Sequence, residues 1–401
     1  MSSRVDSATS ADVLVVGAGP AGIAAALTAH RSGLRVVVID KASFPRDKCC
    51  GDGLTTGALR LLDQLGLQPT TVASWKVCRD VTLRSPSGRV IDLQLPDDGQ
   101  FAAIATRMDL DAALVAHAQT CGVLVRQGVS FVGIESVDES HRVTTSDGTI
   151  TARLVIAADG MWSAVRKAVL TDRAPYLGEW HALRQYAHHV NGPASERLYV
   201  WFEPDLLPGY AWSFPLADGR VNIGFGILRG TQQTSDMKSV WADVLQREHV
   251  RNALGDRAII DDKLTAWPIP ARVTAATLSS NGVLFVGDAA CVTDVLTGEG
   301  IGQALLSGML AGAAASNANP ERAYRRAMRQ NFFADHRMSN VLGRVLGHER
   351  LARAALRVID GGEWRKQKFV RWMFEDEPRA SALTPRRWHR GYLSLPGAFR
   401  K

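Results

Sequence analysis

The stretch from Val13 to Asp40, VLVVGAGPAGIAAALTAHRSGLRVVVID, restricts the possible folds of this chain more than any other. Val13, Leu14, Val15 and Val16 form an unbroken apolar run, the pattern of a parallel strand buried on both faces. Gly17, Gly19 and Gly22 follow in G-x-G-x-x-G spacing, and the alanine-rich run after them has the composition of a helix. In such a strand-turn-helix unit Gly17 permits the tight turn, Gly19 lets a diphosphate approach the backbone, and Gly22 lets the helix pack closely on the strand. The unpaired N–H groups at the helix start face the phosphates. A second apolar run, Arg35–Ile39, ends in Asp40, eighteen positions beyond Gly22, where a carboxylate suits the hydroxyls of an adenosine ribose. The unit predicts a bound dinucleotide, and by itself it does not separate NAD from FAD.

The remaining composition bounds the setting. At 401 residues, 46% hydrophobic and 22% charged, the chain is long enough for two or three packed units with a substantial core. It holds no uninterrupted apolar run of about eighteen residues, and Met1–Ala11 lacks the hydrophobic centre of a signal peptide. The expectation is a cytoplasmic protein with a short disordered tail at Met1–Ala11. Five cysteines without zinc-site spacing point to reduced thiols, and the histidines, including adjacent His188 and His189, form no ligand pattern, so no metal is expected. The net charge of +7 is placed unevenly: from Glu321 onward 19 Lys and Arg oppose 8 Asp and Glu, whereas the preceding residues carry 28 basic and 32 acidic groups. This basic C-terminal region reads either as a solvated helical surface or as a landing surface for an anionic membrane or a diphosphate-bearing lipid, the membrane reading placing the protein peripherally at the inner face. Nucleic acid is not expected, because Trp364, Trp372 and Trp388 are not interleaved with the charges in a recognisable binding module.

Along the chain, Lys41–Leu54 reads as a loop and Thr55–Leu65 as a helix. Strand-like runs at Val77–Leu83 and Val90–Leu95 precede a helix from Thr106 to Gln119 and a parallel strand at Val123–Arg126. Alternating runs at Val129–Val137 and Val143–Thr145 predict a small antiparallel sheet, and an apolar strand then ends in Asp159-Gly160. From Tyr176 to Pro270 the sequence is strand-rich and aromatic, with one inserted helix near Ser235–Arg247. Nucleotide-domain grammar returns at Gly282–Asp288, followed by a glycine-punctuated helix from near Gly298. The expected organisation is a discontinuous nucleotide-binding domain (11–75, 106–170 and 280–320), an inserted sheet domain (76–105 and 171–279) and a C-terminal helical region (321–401).

Three landmarks therefore stand in order: Gly17–Gly22, Asp159-Gly160 and Gly287-Asp288. In this order they resemble the FAD-dependent oxidoreductases of the glutathione-reductase-like, p-hydroxybenzoate-hydroxylase-type fold. The resemblance implies an α/β protein with an FAD-binding Rossmann domain, an inserted mainly antiparallel β-sheet substrate domain and C-terminal helices. It also implies that Asp288 binds the ribityl and diphosphate region of FAD and that Arg107 helps to hold the cofactor. The segment Thr297-Gly298-Glu299-Gly300-Ile301 would set a helix N-terminus beside the flavin pyrimidine ring, where free N–H groups stabilise the charge of reduced flavin. The family's usual proline is replaced here by Val295.

Two further motifs narrow the resemblance. Tyr210-Ala-Trp212-Ser-Phe214-Pro215, followed after eight residues by Gly224-Phe-Gly226, is similar to the YxWxFPx8GxG signature of geranylgeranyl reductases. Phe44-Pro-Arg-Asp-Lys-Cys-Cys50-Gly-Asp52-Gly-Leu54 resembles the FPRxKxCGDGL segment of the same group, including its menaquinone-reductase-like branch. The resemblance implies hydride delivery from reduced FAD to a carbon–carbon double bond of an isoprenoid, with Tyr210, Trp212, Phe214, Gly224 and Gly226 at the substrate. Saturating an alkene also needs a proton, and Cys50 and Asp52 are the candidate catalytic groups, each with a pocket-shaping or structural role as the alternative. With a single dinucleotide motif given to FAD, electrons would come from transiently bound NAD(P)H or a ferredoxin-like carrier. A flavin monooxygenase acting on a hydrophobic small molecule shares every FAD landmark and is the competing reading. A halogenase, suggested by Trp267-Pro-Ile-Pro270, lacks the first tryptophan of its signature, since Thr265 stands there. A non-enzymatic FAD-dependent lipid-binding module is a further alternative.

Overall fold

The computed structural model describes residues 9–95, 101–170, 176–230, 236–385 and 388. The chain opens with β1 (Thr9–Val16), α1 (Pro20–Arg31) and β2 (Val36–Asp40). Val13–Val16 are almost wholly buried, each worth about 1.5–3 kcal/mol when removed from water. Next come β3 (Gly53–Thr55), α2 (Thr56–Leu65), β4 (Lys76–Val77), β5 (Asp80–Arg84), β6 (Val90–Gln94) and β7 (Ala102–Ile104). They lead into α3 (Arg107–Thr120), β8 (Leu124–Gln127), β9 (Phe131–Val137), β10 (Ser140–Thr145), β11 (Gly148–Ala157) and α4 (Ala164–Val169).

The first sheet runs β8-β2-β1-β11 with every neighbour parallel, the arrangement that puts a ligand at the carboxyl ends of its strands. Two expectations change here. Thr9, Ser10 and Ala11 are not tail: they pair with Ile150, Thr151 and Ala152, because β11 is ten residues long and offers a ladder to them. Residues 1–8 of that expected tail lie outside the described residues. The antiparallel strands β9 and β10 are no separate sheet either, since β10 pairs with the same β11 and so extends the first sheet.

The second layer contains β12 (Trp180–His188), β13 (Leu198–Trp201), β14 (Tyr210–Pro215) and β15 (Val221–Leu228), then α5 (Met237–Gln246), α6 (Glu248–Leu254), β16 (Ile259–Ile260) and β17 (Thr265–Ile269). Its sheet runs β16-β12-β15-β14-β13-β5-β6, with β17 also on β12, and is antiparallel except where β13 meets β5. The one helix expected near Ser235–Arg247 is two. Arg247 is extended, with ψ 131°, and so separates α5 from α6. Strands β4 and β7 do not join this sheet: β7 lies between β4 and β3 in a small sheet of its own, and β3 begins inside the segment read as loop.

The chain then returns to the first sheet through β18 (Ser279–Ser280) and β19 (Val283–Phe285), the latter parallel to β11, and enters α7 (Ile301–Ala314). Glycines let α7 touch α1: a Cβ on Gly308 would lie 2.1 Å from Ala21 O, and one on Gly312 would lie 2.5 Å from Ala25 O. Last come α8 (Pro320–Leu346), α9 (Glu349–Ile359) and α10 (Glu363–Met373), which pack over the open side of both sheets. Among the described residues no helix is long and apolar enough to cross a membrane.

Candidate active site

One cavity of about 1150 Å³ runs from the carboxyl ends of β1, β2 and β11 across the second sheet to the C-terminal helices. This exceeds the ~300–1,000 Å³ of most small-molecule sites and suits a dinucleotide together with a second ligand. At its nucleotide end Gly17 has φ +107°, and a Cβ there would sit 2.3 Å from Ala158 O. A Cβ on Gly19 would instead meet only guanidinium tips, Arg46 Nη2 at 3.6 Å and Arg107 Nη2 at 3.8 Å. Arg107 holds Asp111 through two bonds of 2.8 and 2.7 Å, and Arg46 Nη1 lies 3.0 Å from the same carboxylate. Two cations thus share one anion beside the turn, which leaves positive charge for a diphosphate.

The acidic landmarks are placed by the same turns. Asp40 accepts from Ala18 N at 2.7 Å and Ala42 N at 2.8 Å, so its carboxylate is fixed next to the glycine turn. Asp159 accepts from Val165 N at 3.0 Å, while its Oδ1 is buried with no partner among the described residues and burial pushes its pKa up. Asp288 lies 3.3 Å from Lys48 Nζ, and Lys48 in turn sits 5.2 Å from the centre of the Trp267 ring.

The segment before α7 is built on Asp294. Its Oδ1 accepts from Leu296 N, Thr297 N and the Thr297 hydroxyl at 2.9, 2.8 and 3.0 Å. Its Oδ2 accepts from Ser339 Oγ at 2.8 Å and Arg379 Nε at 3.1 Å. Gly298 turns the chain with φ +70°, Gly300 caps α7, and Ile301 begins it. Residues Thr297 to Ile301 all face the cavity. None of the descending C-terminal contacts was visible in the sequence: Arg379 and Ser339 carry no motif.

On the sheet side, Tyr210, Trp212 and Phe214 alternate inward along β14 and line the cavity, with successive ring centres 6.2 Å apart. The Tyr210 hydroxyl donates to Thr297 O, which ties this wall to the segment before α7. Gly226 also lines the cavity, and a Cβ there would be in open space but for His181 O at 3.9 Å. Gly224 does not line it. Its absent side chain makes room for Trp212, whose ring would lie 2.5 Å from a Cβ, so the bulk it removes is the protein's own.

Cys50 and Asp52 separate in the structure. Cys50 lines the cavity, and burial followed by the charge of Asp52 pushes its thiol up, so it stays protonated at neutral pH. Asp52 is wholly buried with φ +61° and does not face the cavity. Its carboxylate accepts from Tyr186 OH and Asn222 Nδ2 at 2.8 Å each and from Arg107 N at 3.1 Å, and burial raises its pKa to about 6. Asn222 also donates to Cys50 O at 2.8 Å and accepts from Trp212 Nε1 at 3.0 Å. Asp52 thus anchors Arg107 and, through Asn222, the Cys50 loop from behind the cavity wall.

The protein-family model described as an FAD binding domain matches residues 10–309. Over 324 residues the chain is 35% identical to the menaquinone reductase of Mycobacterium tuberculosis, covering 75% of this chain and 76% of that one. The chain belongs to the geranylgeranyl reductase family of FAD-dependent oxidoreductases. Within this family it is also 30% identical to the digeranylgeranylglycerophospholipid reductase of Methanosarcina mazei, over 77% of this chain and 75% of the other. The fold is shared with a geranylgeranyl bacteriochlorophyll reductase-like protein of Thermoplasma acidophilum, at TM-score 0.76 and 20% identity, covering 94% of this chain and 99% of that one. The residues of the nucleotide end fit the family's FAD: an open, Cβ-free turn under two arginines, a fixed ribose carboxylate at Asp40 and the orphaned buried oxygen of Asp159. Reading the sequence of this family member overlooked Arg46 and Lys48, although both lie in the Phe44–Leu54 motif.

Proposed function

We propose that this protein is a reductase of a prenyl lipid, adding a hydride and a proton across one carbon–carbon double bond of an isoprenoid chain. The observation that carries the reading is that the aromatic wall of β14, the Cys50 thiol and the segment before α7 border one continuous cavity. Bound FAD, once reduced, supplies the hydride. The chain's own residues do the rest. Leu342, Leu346, Leu356, Ile359, Phe369 and Trp372 give the cavity an apolar extension that holds a long tail and excludes water. Tyr210, Trp212 and Phe214 orient the tail across the wall. Arg107 and Asp288 bind the cofactor, and the N-terminal end of α7 turns its positive dipole toward the cavity.

Anaerobic protein reduced with dithionite and given candidate prenyl lipids should yield a product heavier by two hydrogens in the mass spectrum; a product heavier by one oxygen, formed only in air, would establish the monooxygenase reading instead. Replacing Cys50 by alanine is expected to leave FAD bound and to slow turnover at least tenfold, because a side chain that shapes the cavity wall is lost. Unchanged turnover removes Cys50 from the chemistry. NAD(P)H and a ferredoxin-like carrier are the two electron donors that fit a chain with one dinucleotide turn, and anaerobic bleaching of the flavin by each separates them.

Peripheral membrane attachment belongs to the same proposal. Val341, Val345, Leu351, Val358 and Trp364 are exposed on α8, α9 and the start of α10, among Arg344, Arg350, Arg357 and Lys368. Apolar side chains ringed by cations suit an anionic lipid surface. Sedimentation with phosphatidylglycerol vesicles but not with phosphatidylcholine vesicles is the expected result, and equal recovery with both would refute the electrostatic part.

A further inference from the structure

Two carboxyl groups, Asp294 and Glu375, meet a single guanidinium where the C-terminal segment touches the start of α7. Asp294 and Arg379 are paired at 3.1 Å, and Arg379 Nη2 is 3.7 Å from Glu375 Oε1. Glu299 adjoins them at Gly302, whose N–H lies 3.1 Å from Glu299 Oε1 and on which a Cβ would lie 3.5 Å from Glu375 Oε2, and after burial the charge of Glu375 is the strongest influence on Glu299. Asp294 is the best satisfied, with five hydrogen bonds, and stays ionised. Arg379, already shared with Asp294, then reaches Glu375 alone. Like charges in a poorly solvated site cannot both ionise, so Glu299 and Glu375 hold one proton between them at neutral pH.

The two members differ in access. Glu299 lines the cavity, whereas Glu375 does not. Glu299 Oε1 accepts from Gly302 N at 3.1 Å, so the first turn of α7 stabilises the carboxylate left behind when the proton departs. Glu375 accepts from Gln303 Nε2 at 2.6 Å and Thr55 Oγ1 at 3.1 Å. Gln303 Oε1 is buried with no partner among the described residues. Turning that amide by half a revolution brings its oxygen to Glu375, where it accepts the O–H of a protonated carboxyl. The remaining ionisable groups facing Glu299 are Asp294 on its own segment and Tyr210 from β14, neither of them cationic, while Arg379 from the C-terminal segment faces Asp294, Glu375, Asp335 and Tyr210.

We propose that Glu299 is a catalytic residue, the cavity-side member of a proton-sharing pair with Glu375, and that it gives its proton to the carbon that does not receive the hydride. This rests on the reductase reading above. The two electrons arrive with the hydride from reduced FAD, the new C–H bond at the second carbon takes the proton of Glu299, the alkene π bond is lost, and Glu299 is left as a carboxylate that regains a proton through Glu375. Burial and the neighbouring Glu375 raise the pKa of Glu299 to about 8, so it is largely protonated at pH 7 and spent as a donor above pH 8.

The test uses the FAD-loaded full chain. Infrared spectra of the wild type should show a protonated-carboxyl stretch that shifts in D2O and is lost in Glu299→Gln. Glu299→Gln should keep its flavin and its reduction by dithionite while substrate-dependent flavin reoxidation slows ~100-fold or more. Glu375→Gln removes the like charge, so the alkaline limb of its rate profile should move to lower pH. Wild-type reoxidation in Glu299→Gln, or an unmoved limb in Glu375→Gln, overturns the assignment. Wild-type protein that keeps the infrared signal yet gives no product heavier by two hydrogens refutes the reductase reading, and the donor role with it.

Discussion

Arg379→Ala protein is expected to purify with little flavin and to unfold at markedly lower denaturant than the wild type. Arg379 is buried, bonded to Asp294 and to Thr297 Oγ1 at 3.2 Å, and stacked 4.8 Å from the Trp372 ring centre. Truncating it strands the Asp294 carboxylate in a dry site, a loss of about 3–5 kcal/mol for a buried pair. The segment that Asp294 organises leads into α7, so the cofactor contacts go with it. The sign of the pH effect is fixed. Burial pushes Asp294 up, but Arg379 and the bonds to Thr297, Ser339 and Leu296 hold it below its ordinary value. Its contribution is therefore present above the unfolded carboxyl pKa and lost as pH falls below it. In the variant Asp294 takes up a proton more readily, so the stability gap between the two proteins should narrow from pH 7 toward pH 4. Urea midpoints at both pH values, with flavin absorbance per chain, measure this; full flavin content and an unchanged midpoint would contradict it.

A second large effect is expected at Gly22. A Cβ there would lie 1.8 Å from Gly17 O and 3.1 Å from Ala158 Cβ, and the first of these is backbone that cannot swing aside. Gly22→Ala must open the turn between β1 and α1, at about 1–3 kcal/mol for overpacking, and flavin occupancy should fall at least tenfold. Gly19→Ala supplies the contrast. Its Cβ meets only the ends of two flexible arginines, so the protein should fold with near-normal stability yet still lose flavin, because the methyl group occupies the approach of the diphosphate. Equal stability loss in the two variants would show that the turn tolerates neither side chain for reasons of folding alone.

How far the sequence could be read depends on the span over which each feature is built. The glycine turn, Asp40 and the β14 aromatics declare themselves because a strand, its turn and its alternation are local. Lys48 was in plain view within a motif, but its contact with Asp288 closes across 240 positions. Arg379 reaches Asp294 across 85 positions, and no periodicity marks a lone arginine near the end of a chain. The surroundings of Asp52 are hidden for a related reason. A carboxylate next to a cavity-lining cysteine reads as reactive until Tyr186 and Asn222, from two strands of the other sheet, are seen to enclose it. Gly224 lies directly opposite Trp212 in register and makes room for its indole. The polar residues Thr9 and Ser10 became strand because their partner β11 is long, a fact that lies outside their own neighbourhood.

Residues 320–374 supply much of the apolar extension of the cavity, and the next few residues, Glu375 to Arg379, brace the turn into α7. A chimera that exchanges everything beyond position 320 between two relatives would therefore transplant the shape of the cavity's apolar end and the bracing of the turn into α7 as a single trait. Evolution cannot retune one without retesting the other.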